Sequence, residues 1–177
     1  MLNIIAVSPL ISLSFILFWQ IYNFDKGDNY FKNGQYVKSI QYYKKGTETW
    51  HLPFKFADEV AVFDRMAEAY CQLEDFNKAR EIYLLVCQRY SDWKTSASEN
   101  IELLDVGLQK VKEYESLPAD KKNDIYVLYG LAVSYQYLHC DAKALEIYTK
   151  IAAMPVDDKS KELAKKEIQE LTTKENK

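Results

Sequence analysis

Three stretches of the chain carry one pattern in register and without gaps: GDNYFKNGQYVKSIQYYKKG from Gly27, AEAYCQLEDFNKAREIYLLV from Ala67 and AVSYQYLHCDAKALEIYTKI from Ala132. In each, a small residue (Gly27, Ala67 or Ala132) is followed three places on by a tyrosine (Tyr30, Tyr70 or Tyr135). Nine places later stands a second small residue (Ser39, Ala79 or Ala144), and four after that another tyrosine (Tyr43, Tyr83 or Tyr148). Residues three or four apart share one face of a helix. Small residues let two helix backbones approach, and rings on the same faces fill the space between them, so the pattern calls for antiparallel helix pairs. Asn33-Gly34-Gln35 marks the turn of the first pair, with Glu74-Asp75 and Cys140-Asp141 at the matching places.

These residues resemble the tetratricopeptide repeat, which pairs a small residue and a tyrosine on its first helix with alanine and an aromatic on its second, often closing with proline. Pro53 and Pro155 fall near the closing place, and Ser91 occupies it in the second copy. The resemblance implies an all-α fold, a short solenoid in which antiparallel helix pairs wind into a right-handed superhelix. Its repeats are expected over about residues 24–53, 61–91 and 126–155. Gly27 and Ala67 lie 40 residues apart and Ala67 and Ala132 lie 65 apart, against a usual spacing of about 34, so the stack is expected to be irregular. The first excess fits a linker or lengthened helix around His51, Pro53 and Phe56. The second fits a separate helix over residues 97–116, with Ser96 and Glu99 as a capping box and Ile101, Leu104, Leu108 and Val111 as its apolar stripe. Ala164, Ile168 and Leu171 form a narrow stripe on a helix over 158–173 rich in Lys and Glu, the polar cap that a solenoid needs.

Ahead of the repeats, residues 1–24 contain no charged side chain, and residues 2–22 are interrupted only by Asn3, Ser8, Ser12, Ser14 and Gln20 among polar residues. A helix over 2–22 would be about 30 Å long, the thickness of a hydrocarbon core. Trp19, Tyr22 and Phe24 at its end suit the membrane–water interface. A secretory signal needs a basic start and a small-x-small site, whereas no Lys or Arg precedes Lys26 and Ser12-Leu13-Ser14 is a poor candidate. A lipoprotein would need a Cys just after the apolar stretch, and the first is Cys71. A helix from Pro9, capped by Ser8, would be short for a bilayer. The expectation is a single-pass transmembrane helix over residues 1–24, followed after about two residues of slack at Tyr22-Asn23 by a repeat domain over 25–177. Lys26, Lys32 and Lys38 after the segment, with no basic residue before it, place that domain on the cytoplasmic or organelle-equivalent side.

The formal net charge of −3 offers no global field for a phosphate backbone, so nucleic acid is not an expected partner. Cys71, Cys87 and Cys140 form no C-x-x-C spacing, and only His51 and His139 could join them on a metal. They read as buried thiols. No Gly-rich phosphate loop, G-x-S-x-G or H-E-x-x-H occurs in the sequence, and the adjacent acids Glu74-Asp75 and Asp157-Asp158 fall at turn or cap places. Neither catalysis nor a cofactor nor a small-molecule substrate is expected.

In the tetratricopeptide family the first helices of successive repeats line a concave, protein-binding face. Carried onto this chain, the resemblance implies that Phe24, Asp28, Phe31 and Lys32 show on the first repeat and Asp64, Arg65, Glu68, Cys71 and Gln72 on the second. Tyr126, Tyr129, Val133, Gln136 and Tyr137 would show on the third. Family members that dock chaperone tails clamp a carboxylate with Lys and Asn, whereas Phe24, Asp28, Asp64 and Glu68 stand at the corresponding places. That favours a peptide or helix with basic and apolar residues. Tyr126, Tyr129 and Tyr137 read equally well as packing residues. The function implied is a membrane-anchored scaffold or adaptor for protein–protein interaction, in assembly of a membrane complex. A permanent structural or accessory subunit of such a complex is one alternative, and an exported periplasmic adaptor cleaved near Ser14 is another.

Overall fold

The computed structural model describes residues 9–48 and 57–175, and among these it is wholly helical. Eight helices follow in order: α1 Pro9–Lys32, α2 Tyr36–Glu48, α3 Ala57–Gln72, α4 Phe76–Arg89, α5 Lys94–Glu115, α6 Ile125–Tyr137, α7 Asp141–Ala153 and α8 Asp158–Glu175. The chain divides into two compact units, Met1–Ala69 and Tyr70–Lys177.

The same turn closes the first helix of all three pairs. Gly34, Glu74 and His139 each adopt positive φ, at 68°, 58° and 53°. The next residue, Gln35, Asp75 or Cys140, donates its N–H to the carbonyl of Tyr30, Tyr70 or Tyr135 at 2.8–2.9 Å. Gly34, Glu74 and His139 donate to Phe31, Cys71 and Gln136. This six-to-one and five-to-two arrangement satisfies the last carbonyls of a helix through a left-handed residue. The register seen in the sequence is therefore repeated bond for bond in the backbone.

In the first unit α1 packs on α2, and the small residues act as foreseen. A Cβ at Gly27 would collide with the Tyr43 ring, and one at Gly46 with the Phe24 ring. Ser39, Ile40 and Tyr43 are buried beneath this contact. In the second unit α5 packs on both α4 and α6, and α7 on both α6 and α8. Leu128, Ala132, Ala144, Tyr148 and Ile151 form one apolar cluster with Ala164 and Leu171 of α8, which closes this end as a cap. Asp157 starts α8 by accepting the Ser160 N–H at 3.0 Å and its hydroxyl at 2.6 Å. Asp75 and Asp124 cap α4 and α6 in the same way.

Two expectations are corrected. α1 runs without a break through Tyr22, Asn23 and Phe24, so the apolar segment and the first repeat helix are one rod with no slack between them. No Pro or Gly interrupts residues 10–26, and nothing local stops the helix. Second, Ser96 is not a cap: α5 begins at Lys94, inside a chain already turned by a 3-10 segment, Ser91–Trp93. That segment satisfies the Lys94 N–H with the Ser91 carbonyl, which leaves Ser96 within the first helical turn. The stripe of Ile101, Leu104, Leu108 and Val111 is buried or half-buried as expected. The linker around His51 lies outside the described residues.

Among the described residues no helix is long and apolar enough to cross a membrane. Within them the uncharged part of α1 spans only residues 9–24, short of the roughly 20 residues that a bilayer requires. Residues 1–8, the remainder of the expected transmembrane helix, lie outside the described residues.

Candidate binding faces

In the first unit the expected face is largely engaged in its own packing. The Asp28 carboxylate accepts the Tyr43 hydroxyl at 2.7 Å and, with both oxygens, the Arg65 Nη1 at 3.0 Å. Asp28 and Arg65, expected as separate charges on the surface, neutralise one another and tie α1 to α3. Burial first, with the Asp28 hydrogen bond second, drives the Tyr43 phenol far above its ordinary value, so it stays a donor. Phe24, expected in the groove, instead lies over Gly46 between α1 and α2. Phe31 is half-buried and meets the Tyr36 ring edge-on at 5.5 Å. Lys32 is exposed at the end of α1.

Asp64 and Glu68 sit one turn apart on α3 and are both half-buried, not fully exposed as the acidic middle of a groove would be. Burial, then the neighbouring Glu68 carboxylate, pushes Asp64 above its ordinary 3.8, and Arg65 offsets this only in part. With Arg65 held by Asp28, the Asp64–Glu68 pair carries the negative charge of this face.

In the second unit Gln72 donates its amide to the His139 carbonyl at 2.5 Å. Cys71, placed on the face by the family pattern, is buried, and its carbonyl accepts the Cys140 thiol at 3.3 Å. Lys143 pairs with Glu74 at 2.8 Å across the same pair of turns. Gln72 and Cys71 thus lock turn to turn. Burial pushes the Cys140 thiol up to about 11.

The tyrosines of α6 divide between the two roles open to them. Tyr129 packs edge-on against Tyr148 at 5.3 Å, with its hydroxyl buried, and Gln136 accepts the Tyr148 hydroxyl at 3.0 Å. Tyr126 is 84% exposed and Tyr137 40%. With Gly130, which faces open space, and half-buried Val133, they stand at i, i+4, i+7 and i+11, one outward stripe. α6 contains no charged residue, so the stripe is aromatic and neutral. The sequence reading missed Gly130, although the four-residue spacing from Tyr126 was there to be seen.

A further apolar surface lies on α1. Phe15 and Phe18 are 68% and 69% exposed, and Trp19, Ile21 and Tyr22 are exposed beside them. Gln20 and Asn23 are buried, the Asn23 amide donating to the Trp19 carbonyl at 2.7 Å. The helix therefore shows apolar residues outward and polar ones inward over this stretch, the reverse of a soluble surface helix.

No protein-family model, curated protein or solved structure matches this chain. Among the described residues no group of His, Cys, Asp and Glu could hold a metal ion. The functional reading therefore rests on the two faces and the α1 ridge alone.

Proposed function

We propose that this chain is a tetratricopeptide-type scaffold that binds a protein partner and is held at a membrane through residues 2–22, without catalytic chemistry of its own. The observation that carries the reading is the threefold recurrence of one turn and one small-residue and tyrosine register, joined to an outward stripe on α6 that no charge protects. Helix-pair repeats of this kind present rigid faces, and rigid aromatic anchors give most binding energy for least lost side-chain freedom. Tyr126, Val133 and Tyr137 suit apolar groups of a peptide or helix. Separately, Asp64 and Glu68 suit a basic side chain, since a further carboxylate there would add repulsion. Assembly of a membrane complex is the process that fits an adaptor placed against a bilayer.

The exposed ridge at Phe15, Phe18 and Ile21 supports membrane attachment, because an apolar surface of this kind requires cover. It equally supports the reading as an accessory subunit, with the ridge covered by a fixed protein neighbour. Fractionation of the full-length protein with a C-terminal tag, followed by alkaline extraction, separates them. Retention in the lipid pellet after extraction is the outcome expected of an anchor; release together with a stoichiometric partner supports the subunit; release as a lone soluble protein overturns both. Tag accessibility in sealed vesicles then reports the side, expected to be cytoplasmic. Tyr126→Ser with Tyr137→Ser is expected to abolish partner capture without loss of helicity, and unchanged capture would remove α6 from the binding face.

A further inference from the structure

The outer side of the α1–α2 pair carries a pattern that neither binding face uses. Phe15, Trp19, Tyr22, Lys26 and Tyr30 follow at i, i+4, i+7, i+11 and i+15, a single stripe that starts apolar and ends cationic. Trp19 and Tyr22 stack at 6.3 Å at the point of change. α2 extends the stripe sideways, with Tyr42 stacked on Tyr30 at 5.2 Å. Each of three rings then carries an ammonium: Lys26 lies 5.7 Å from the Tyr22 centroid, Lys38 5.3 Å from Tyr30 and Lys45 4.8 Å from Tyr42.

These ammonium groups are held by rings and not by carboxylates. Lys38 also donates to the Gln35 side-chain oxygen at 2.9 Å, which leaves it further donors. Among the described residues none of the three lysines is in an ion pair. Asp28 is turned away to Tyr43 and Arg65. Asp25 points about 100° around the helix from Lys26, and Glu48, one turn beyond Lys45 at the end of α2, forms no ion pair with it. Across α1 and α2 five lysines face three carboxylates, so this pair is positive within a chain of net charge −3. A ligand that suits it is anionic at one end and apolar at the other.

The spacing along α1 fits the same molecule. Phe15 to Tyr22 covers about 10 Å along the axis and Tyr22 to Lys26 about 6 Å more, the second step close to the thickness of one headgroup layer. Lys38 and Lys45 lie on the Tyr30 and Tyr42 rings, which stack on each other.

We propose that the outer side of the α1–α2 pair rests on the headgroups of anionic phospholipids, with Lys26, Lys38 and Lys45 on the phosphates, Trp19 and Tyr22 at the interface and Phe15 and Phe18 on the acyl-chain side of them. This rests on the membrane reading above and adds the lipid it selects. The tyrosine rings keep the ammonium groups in place without neutralising them, so the lysines meet the surface already ordered.

Two measurements on the full-length chain keep the proposal and its premise apart. Flotation on neutral phosphatidylcholine vesicles reads the apolar anchor alone. Native mass spectrometry from neutral detergent micelles containing equal phosphatidylglycerol and phosphatidylcholine of the same chain length reads the headgroup choice. Phosphatidylglycerol adducts are expected to dominate, by about fivefold per lysine and on the order of a hundredfold for the three, and to fall as salt rises. Lys26→Gln, Lys38→Gln and Lys45→Gln together are expected to bring the two lipids to parity while flotation and helicity persist. Equal adducts in the wild type, a preference insensitive to salt, or a preference that survives in the triple variant overturns the proposal. Absence of flotation overturns the anchor, and the adduct ratio still decides whether the lysine face selects the anionic headgroup.

Discussion

At Gly34, Glu74 and His139 one backbone conformation is met by three different side chains, which makes each turn a control for the others. A Cβ in the left-handed region costs about 1–2 kcal/mol against the following carbonyl, while glycine costs roughly 0.5–1 kcal/mol in unfolded-chain freedom. Gly34 has open space around it, so Gly34→Ala is expected to lose about 1 kcal/mol through the backbone alone. His139→Gly is expected to gain about 0.5 kcal/mol. Urea melts of both variants check the opposite signs, and a neutral Gly34→Ala would contradict the positive φ. Asp64 offers a pH test. Its folded carboxyl titrates above the ordinary 3.8, so the fold binds that proton more tightly than the unfolded chain does. Stability from this group is lost as pH rises from 3.8 through the raised value, and the loss is constant above it. Asp64→Asn is therefore expected to melt higher than the wild type at neutral pH, with the gap closing as the pH falls toward 3.8. A gap of unchanged size across that window would mean that the carboxylate is not desolvated.

At the scale of elements the most consequential feature is the continuity of α1. A transmembrane segment joined to a domain by a short linker would tolerate a proline at the joint. In a continuous helix the same residue removes a hydrogen bond and clashes with the preceding turn, at about 3 kcal/mol or more. Tyr22→Pro, at an exposed position, is expected to lower the melting temperature of the first unit by that equivalent, read by thermal circular dichroism. The repeat elements were legible in the sequence because their signals are local: Tyr30, Tyr70 and Tyr135 announce their turns five residues ahead, and Asp75, Asp124 and Asp157 cap the helices that they precede. The α1 continuation was not legible, because the slack at Tyr22-Asn23 was placed where the apolar segment gives way to the more polar first repeat. Polarity changes the surroundings of a helix without ending it. Ser96 misled for a related reason, since a capping box is only a cap when the preceding backbone has not already turned.

For the whole molecule, charge and burial are arranged by unit and not by overall composition. The second unit ends in α8, whose Ala164 and Leu171 are buried on the α6–α7 cluster. Truncation after residue 156 would uncover Tyr148 and Ile151, and a loss on the order of 5 kcal/mol is expected from the apolar area returned to water. Binding of a hydrophobic dye together with a lowered melting temperature would report it; an unchanged melt would mean that α8 is not the cap. Of the fourteen residues expected on the binding faces, the structure keeps Lys32 and Tyr126 outward and Tyr137 partly so, but turns Phe24, Asp28, Arg65, Cys71, Gln72, Tyr129 and Gln136 into packing. The sequence by itself determined the helices, the three turns and the pairing of α1 with α2 and of α6 with α7, because each depends on spacings of three to nine places along one chain. Only the tertiary structure decided which polar groups were already taken, since Asp28 finds Arg65, Gln72 finds His139, and Lys38 finds Tyr30 through space, by contacts that no local periodicity encodes.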